Sequence, residues 1–144
     1  MPDIPENLAE KFKQSQESLL VSLEQITQHA RLYEKARSQL PELENKLLLH
    51  LQYQQKTMYP ALKAFFCANR AAEKKLEFLQ YESNELKVRM ADFLDKYSYS
   101  PSAVTARNFP IAFMEFRQAV VQRIHSEEDQ LLPLLEQFMT RDLS

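Results

Sequence analysis

Glycine is missing altogether from the 144 residues, against an average usage of about 7%. Without it the chain lacks the loops whose backbone N–H groups cradle phosphates, and P-loop and dinucleotide fingerprints are excluded together. An excess of one charge is missing too, since 18 basic side chains stand against 20 acidic ones. That balance leaves no electrostatic footprint for nucleic acid or an anionic membrane. Cysteine occurs once, at Cys67, so no internal disulfide can form; a small buried apolar role in a reducing compartment is expected. No stretch approaches the ~20 apolar residues of a membrane span. The opening Met1-Pro2-Asp3-Ile4-Pro5-Glu6-Asn7 has neither the basic region nor the apolar run of a signal peptide. A cytoplasmic protein is expected, with one domain over residues 1–144 that is long enough to bury a core.

What the chain does have is helical period throughout. One stripe passes through Leu19, Leu23, Ile26, His29, Tyr33, Ala36 and Leu40, at spacings of three and four. Pro41 then restarts the chain as the first turn of a second helix. That helix carries Leu43, Leu47, His50, Gln54, Met58, Leu62 and Phe65 on one side, with a kink expected at Pro60. A third helix shows Leu76, Leu79, Ser83, Leu86, Met90, Phe93 and Tyr97. The turn formers of Ser98–Thr105 read as a loop, and a last helix opens near Asn108 or Pro110. Its stripe is Phe113, Phe116, Val120, Arg123, Glu127, Leu131, Leu134 and Phe138. Four amphipathic helices with short connections predict an all-α, up-and-down antiparallel four-helix bundle. Residues 1–17, mostly polar, read as an N-terminal extension laid along the outside.

The second and fourth stripes repeat one another. A shift of 73 positions carries His50 to Arg123, Gln54 to Glu127, Met58 to Leu131, Pro60 to Pro133 and Leu62 to Leu135. Each copy sets a polar pair, four residues apart, into an apolar stripe. Left unpaired, each such group would cost roughly 1–3 kcal/mol. Inward side chains at similar depth in a bundle converge, so His29, His50, Gln54, Arg123 and Glu127, with Gln80 and Ser83 from the third helix, are expected to form one polar cluster. His29 precedes the expected break at Pro41 by about as much as His50 follows it, which would put both at one level. His125 falls about 200° around the helix from Arg123 and is expected on an exposed acidic face.

The segment His50-Leu51-Gln52-Tyr53-Gln54-Gln55-Lys56-Thr57-Met58-Tyr59-Pro60-Ala61-Leu62 resembles the second helix of the hemerythrin-like (HHE cation-binding) domain. There a ligand His is followed four residues later by a Glu and then by Tyr/Phe-Pro-x-Leu. Arg123 through Leu135 resembles the fourth helix of that domain, and the likeness spans roughly Leu19 to Phe138. The resemblance implies a hemerythrin-like bundle with His29, His50 and Glu127 as metal ligands and iron or another cation as cofactor. Three ligands could hold one ion with water completing the sphere. Three letters depart from the pattern. Gln54 stands where the family has Glu, Arg123 where it has His, and Gln80 or Tyr81 where a further His is expected.

A guanidinium does not deprotonate and repels a cation, so Arg123 would replace the metal charge if it pairs with Glu127. Neither the di-iron ferritin spacing nor H-E-x-x-H occurs in the sequence, and no catalytic turnover is expected. The sequence therefore points to a hemerythrin-like domain with a degenerate metal site, retaining iron or cation binding or sensing redox state or a small gas ligand. The alternative is a metal-free bundle that regulates by protein–protein contact, resembling the regulator-of-sigma-D family of anti-sigma proteins. Such a regulator should expose an apolar patch, and Tyr53, Tyr59, Tyr97 and Tyr99 are the candidate exposed residues.

Overall fold

The computed structural model describes residues 7–99 and 102–140. Four antiparallel rods are present and, among the described residues, no strand. The first rod is α1 (Leu8–Gln28). The second joins α2 (Tyr33–Tyr53) to α3 (Tyr59–Phe65) through a wide π turn at Gln54–Met58. The third is α4 (Arg70–Leu94), ending in a π turn at Asp95–Tyr99, and the fourth joins α5 (Ala103–Ser126) to α6 (Leu132–Met139) through a π turn at Glu127–Leu131. The chain is an all-α bundle, as its periodicity predicts.

The connections differ from expectation in informative ways. The first reversal falls just after His29, where the His29 N–H donates to the Ile26 carbonyl and the Leu32 N–H to the His29 carbonyl. Pro41 lies inside α2 and starts no helix. It is exposed, so the Arg37 carbonyl it leaves without an intrahelical donor lies on the outer side of the helix, and buried Leu40 and Leu43 hold the segment helical around it. Residues 8–17 belong to α1 and are no extension, because Leu8 and Phe12 are buried in the core; residues 1–6 lie outside the described residues. The fourth rod opens at Ala103, ahead of the expected start. Ser102 caps it, accepting the Thr105 N–H at 3.2 Å while the Thr105 hydroxyl accepts the Ser102 N–H at 2.6 Å. The expected loop shrinks accordingly, and its Ser100 and Pro101 lie outside the described residues. Cys67, expected to be buried, is exposed in the turn before Asn69, whose side chain caps α4.

The two π turns in the second and fourth rods share one cause. Pro60 and Pro133 have no N–H, and in a regular helix each ring would press on the carbonyl four residues back. Widening relieves this: the Tyr59 N–H reaches the Gln54 carbonyl and the Leu132 N–H the Glu127 carbonyl, each five residues back. The extra residue advances the inward face by about 100°. Met58 and Tyr59 are therefore both buried although adjacent, and so are Leu131 and Leu132.

Two apolar clusters fill the bundle. One, around Leu23, Leu40, Leu47, Phe93, Phe109 and Phe113, packs the end nearest the first reversal. The other, around Leu8, Phe12, Met58, Leu62, Leu79 and Leu135, packs the end nearest the α3–α4 turn. Between them the two π turns deliver a layer of polar side chains.

Candidate functional site

Glu127, with no solvent exposure, is the centre of that layer. Its Oε1 accepts from Gln16 Nε2 at 3.0 Å and from His50 Nε2 at 2.9 Å; its Oε2 accepts from Gln54 Nε2 at 2.7 Å and from Arg123 Nε at 3.0 Å. Four donors match the roughly four lone-pair sites of a carboxylate. Arg123 is used as completely. Beyond Nε, its Nη1 donates to the Leu79 carbonyl at 2.7 Å and to Glu82 Oε1 at 3.1 Å, and its Nη2 to Gln54 Oε1 at 2.6 Å and the Tyr59 hydroxyl at 2.8 Å. All five guanidinium N–H groups thus have acceptors. The Tyr59 hydroxyl donates in turn to Gln54 Oε1 at 3.0 Å, and Ser126 Oγ donates to Glu82 Oε2 at 3.0 Å.

The proton on His50 follows from its partner. A carboxylate only accepts, so the proton sits on Nε2 and leaves Nδ1 facing Ser15 Oγ at 2.8 Å. Phe12 stacks on the imidazole with ring centroids 4.9 Å apart. Burial works against both charges at the centre, yet their partners prevail. For Glu127, His50, Arg123 and Gln16 together hold the carboxyl below the ordinary carboxylate range. For Arg123, Tyr59, Glu127 and Glu82 overcome the burial and raise its pKa above the ordinary guanidinium value. Burial pushes the Tyr59 hydroxyl up, against the opposing pull of Arg123.

Of the residues singled out from sequence, His50, Gln54, Arg123 and Glu127 meet in this network. His29 does not. The turn after it places it roughly 25 Å from His50 along the bundle axis, at 1.5 Å per residue of α2. There it is half-buried and bonded through Nδ1 to Gln39 Oε1 at 3.2 Å. Gln80 is half-buried beside Tyr59 and Ser83 in a shallow cleft, outside the network's hydrogen bonds, and Tyr81 points to solvent. His125 lies exposed beside Glu128.

Sequence reasoning missed Ser15, Gln16, Tyr59 and Glu82. Gln16 was detectable: a stripe Leu8, Phe12, Gln16, Leu19, Leu23 continues the α1 period once the helix is begun at Leu8. Tyr59 was not, because only the register slip in the π turn brings it inward. It and Tyr97, both expected to be exposed, are buried, while Tyr53 and Tyr99 are exposed.

The donor set can be tested against a bound cation. Both Glu127 oxygens are saturated by donors, His50 presents an N–H toward the carboxylate where a metal would need a lone pair, and a guanidinium Nε lies 3.0 Å from the carboxylate. Among the described residues no three His, Cys, Asp or Glu side chains are grouped to hold an ion. In this arrangement the residues do not fit a metal centre, and the trio His29, His50 and Glu127 is not brought together.

An antiparallel four-helix bundle with matched polar positions facing inward from its second and fourth rods defines the class. The family model of the hemerythrin HHE cation binding domain matches residues 7–135, and the chain belongs to that family. No curated protein and no solved structure matches the chain. No described helix is long and apolar enough to cross a membrane.

Proposed function

We propose that this chain is a metal-free hemerythrin-family domain whose internal cation is its own Arg123 guanidinium, and that it acts by contact with a protein partner, without catalytic turnover. The observation that carries the reading is the complete pairing of Arg123 and Glu127, whose side chains are only 2% and 0% exposed. Removing either charge from such a pair is costly, so the guanidinium belongs to the folded architecture. For the contact role, support comes from the outer face of α5. Ile111 and Met114 stand 72% and 47% exposed there, and with Pro110 and Val121 they line a shallow groove. Contiguous exposed apolar surface of this kind marks interaction sites in soluble proteins. The exposed thiol of Cys67 suits a reducing, cytoplasmic setting.

Metal analysis by plasma mass spectrometry, on untagged protein from iron-supplemented medium, tests the reading. Sub-stoichiometric metal, unchanged in His50→Ala, is expected. Stoichiometric iron lost in His50→Ala would replace this reading with residual cation binding and make gas or redox titration the next step. A complementary variant, Arg123→His with Gln54→Glu, removes the resident cation and supplies two ligands. It should take up a divalent ion that the natural chain does not.

A further inference from the structure

A groove of about 340 Å³ lies between α1 and α2, and the polar network meets its floor. Leu8 and Phe12 from α1 and Leu49 and Tyr53 from α2 form its apolar walls. Leu49 and Tyr53 are one helical turn apart, and Leu49 is 58% exposed, so water is in contact with side chains that would favour being covered. Among the lining residues Lys11 alone carries a fixed charge, and among the described residues no carboxylate pairs with it. It sits one turn from Ser15 on the same face of α1, where side chains four apart are neighbours. The Ser15 hydroxyl donates its one proton to His50 Nδ1 at 2.8 Å, so toward the groove it presents only lone pairs, and Lys11 is the donor there that an anion can use. A mostly apolar concavity of this size with a charged side chain at its edge fits the form of a small-molecule site.

We propose that this groove binds a small amphipathic carboxylic acid. Its apolar or aromatic body lies against Phe12, Leu49 and Tyr53, and its carboxylate pairs with the Lys11 ammonium. The sign of Lys11 selects an anion over a cation. The length of the walls selects a molecule with a ring or short chain over a simple inorganic anion. Binding of this kind needs neither a metal nor a protein partner.

The test is a titration of the uniformly 15N-labelled full chain with 4-phenylbutyrate, followed by amide NMR, with 4-phenylbutanol as the uncharged control. Saturable shifts confined to residues 8–15 and 49–53, with the acid binding at least several-fold tighter than the alcohol, are expected. Lys11→Gln should erase that preference, and Leu49→Glu, which puts a negative charge at the mouth, should abolish binding of both. Absence of saturation, shifts centred elsewhere, or equal affinity for acid and alcohol in the natural chain would overturn the proposal. Both substitutions are at exposed positions. Should either variant fail to fold, the comparison of acid with alcohol decides by itself.

Discussion

The turns Gln54–Met58 and Glu127–Leu131 have the same backbone and the same following proline but carry different chemistry. Gln54 opens the first with a neutral amide that donates to Glu127 and accepts from Arg123 and Tyr59. Glu127 opens the second with a full charge that only accepts. One turn earlier, His50 and Arg123 occupy matching positions, and both point at the same carboxylate. The repeat therefore supplies position, while the identities at four sites decide whether the centre holds a cation of its own or has room for one from outside. With a guanidinium in one of the four, the charge balance closes within the chain.

The difference between the two turns should be plainest in stability. Glu127→Ala strands Arg123 with Glu82, at the half-buried edge of the layer, as its remaining carboxylate. Removing one partner of a buried ion pair costs about 3–5 kcal/mol, measured as lost unfolding free energy in urea. A loss below about 0.5 kcal/mol, the scale of surface substitutions, would mean that the pair is not buried in solution.

Titration of the same carboxyl gives the next effect. Because its folded-state pKa is held below the ordinary value, the unfolded chain binds the proton more readily over the interval between them. The stability that Glu127 contributes is complete above the ordinary carboxylate pKa of about 4.3 and is lost as pH falls through the lower folded value. Urea unfolding from pH 7 downward should show the advantage of the natural chain over Glu127→Gln shrinking across that window. A constant difference between the two proteins would contradict the pairing.

The neutral turn should respond less. Gln54→Ala leaves the Arg123 Nη2 group with only the Tyr59 hydroxyl and removes one of four donors from Glu127. No charge is stranded, and about 1–3 kcal/mol is expected for the groups left unsatisfied. If Gln54→Ala cost as much as Glu127→Ala, the contrast between an amide turn and a charged turn would fail.

The repeat made half of this site legible in advance. Polar letters at His50, Gln54, Arg123 and Glu127 interrupt otherwise apolar stripes, and helical period alone sends them inward. Bundle class followed from the same periodicity. The first reversal was not legible, because Leu19 to Leu40 keeps spacings of three and four straight through the turn, and a chain without glycine has no common helix terminator to place there. Pro41 and Pro110 looked like helix starts, but both sit within helices. Pro41 lies on the exposed side, and Pro110 is half-buried. Ser15 was hidden by the polar composition around it, and Tyr59 by a register slip that no period anticipates.

That misplaced reversal makes His29 the sharpest control on the whole comparison, and the smallest effect. A histidine inside the polar layer would share its charge balance, and its loss would be felt there as Gln54's is. Instead its Nδ1 meets only the amide oxygen of Gln39, at the rim of the bundle. His29→Ala is therefore expected to change stability by less than about 0.5 kcal/mol, to leave metal content as it was, and to leave the amide resonances of residues 50, 54, 123 and 127 in place. A thermal or urea shift comparable to Gln54→Ala, or movement of those four resonances, would return His29 to the centre and with it the three-ligand arrangement that the bundle's topology now separates.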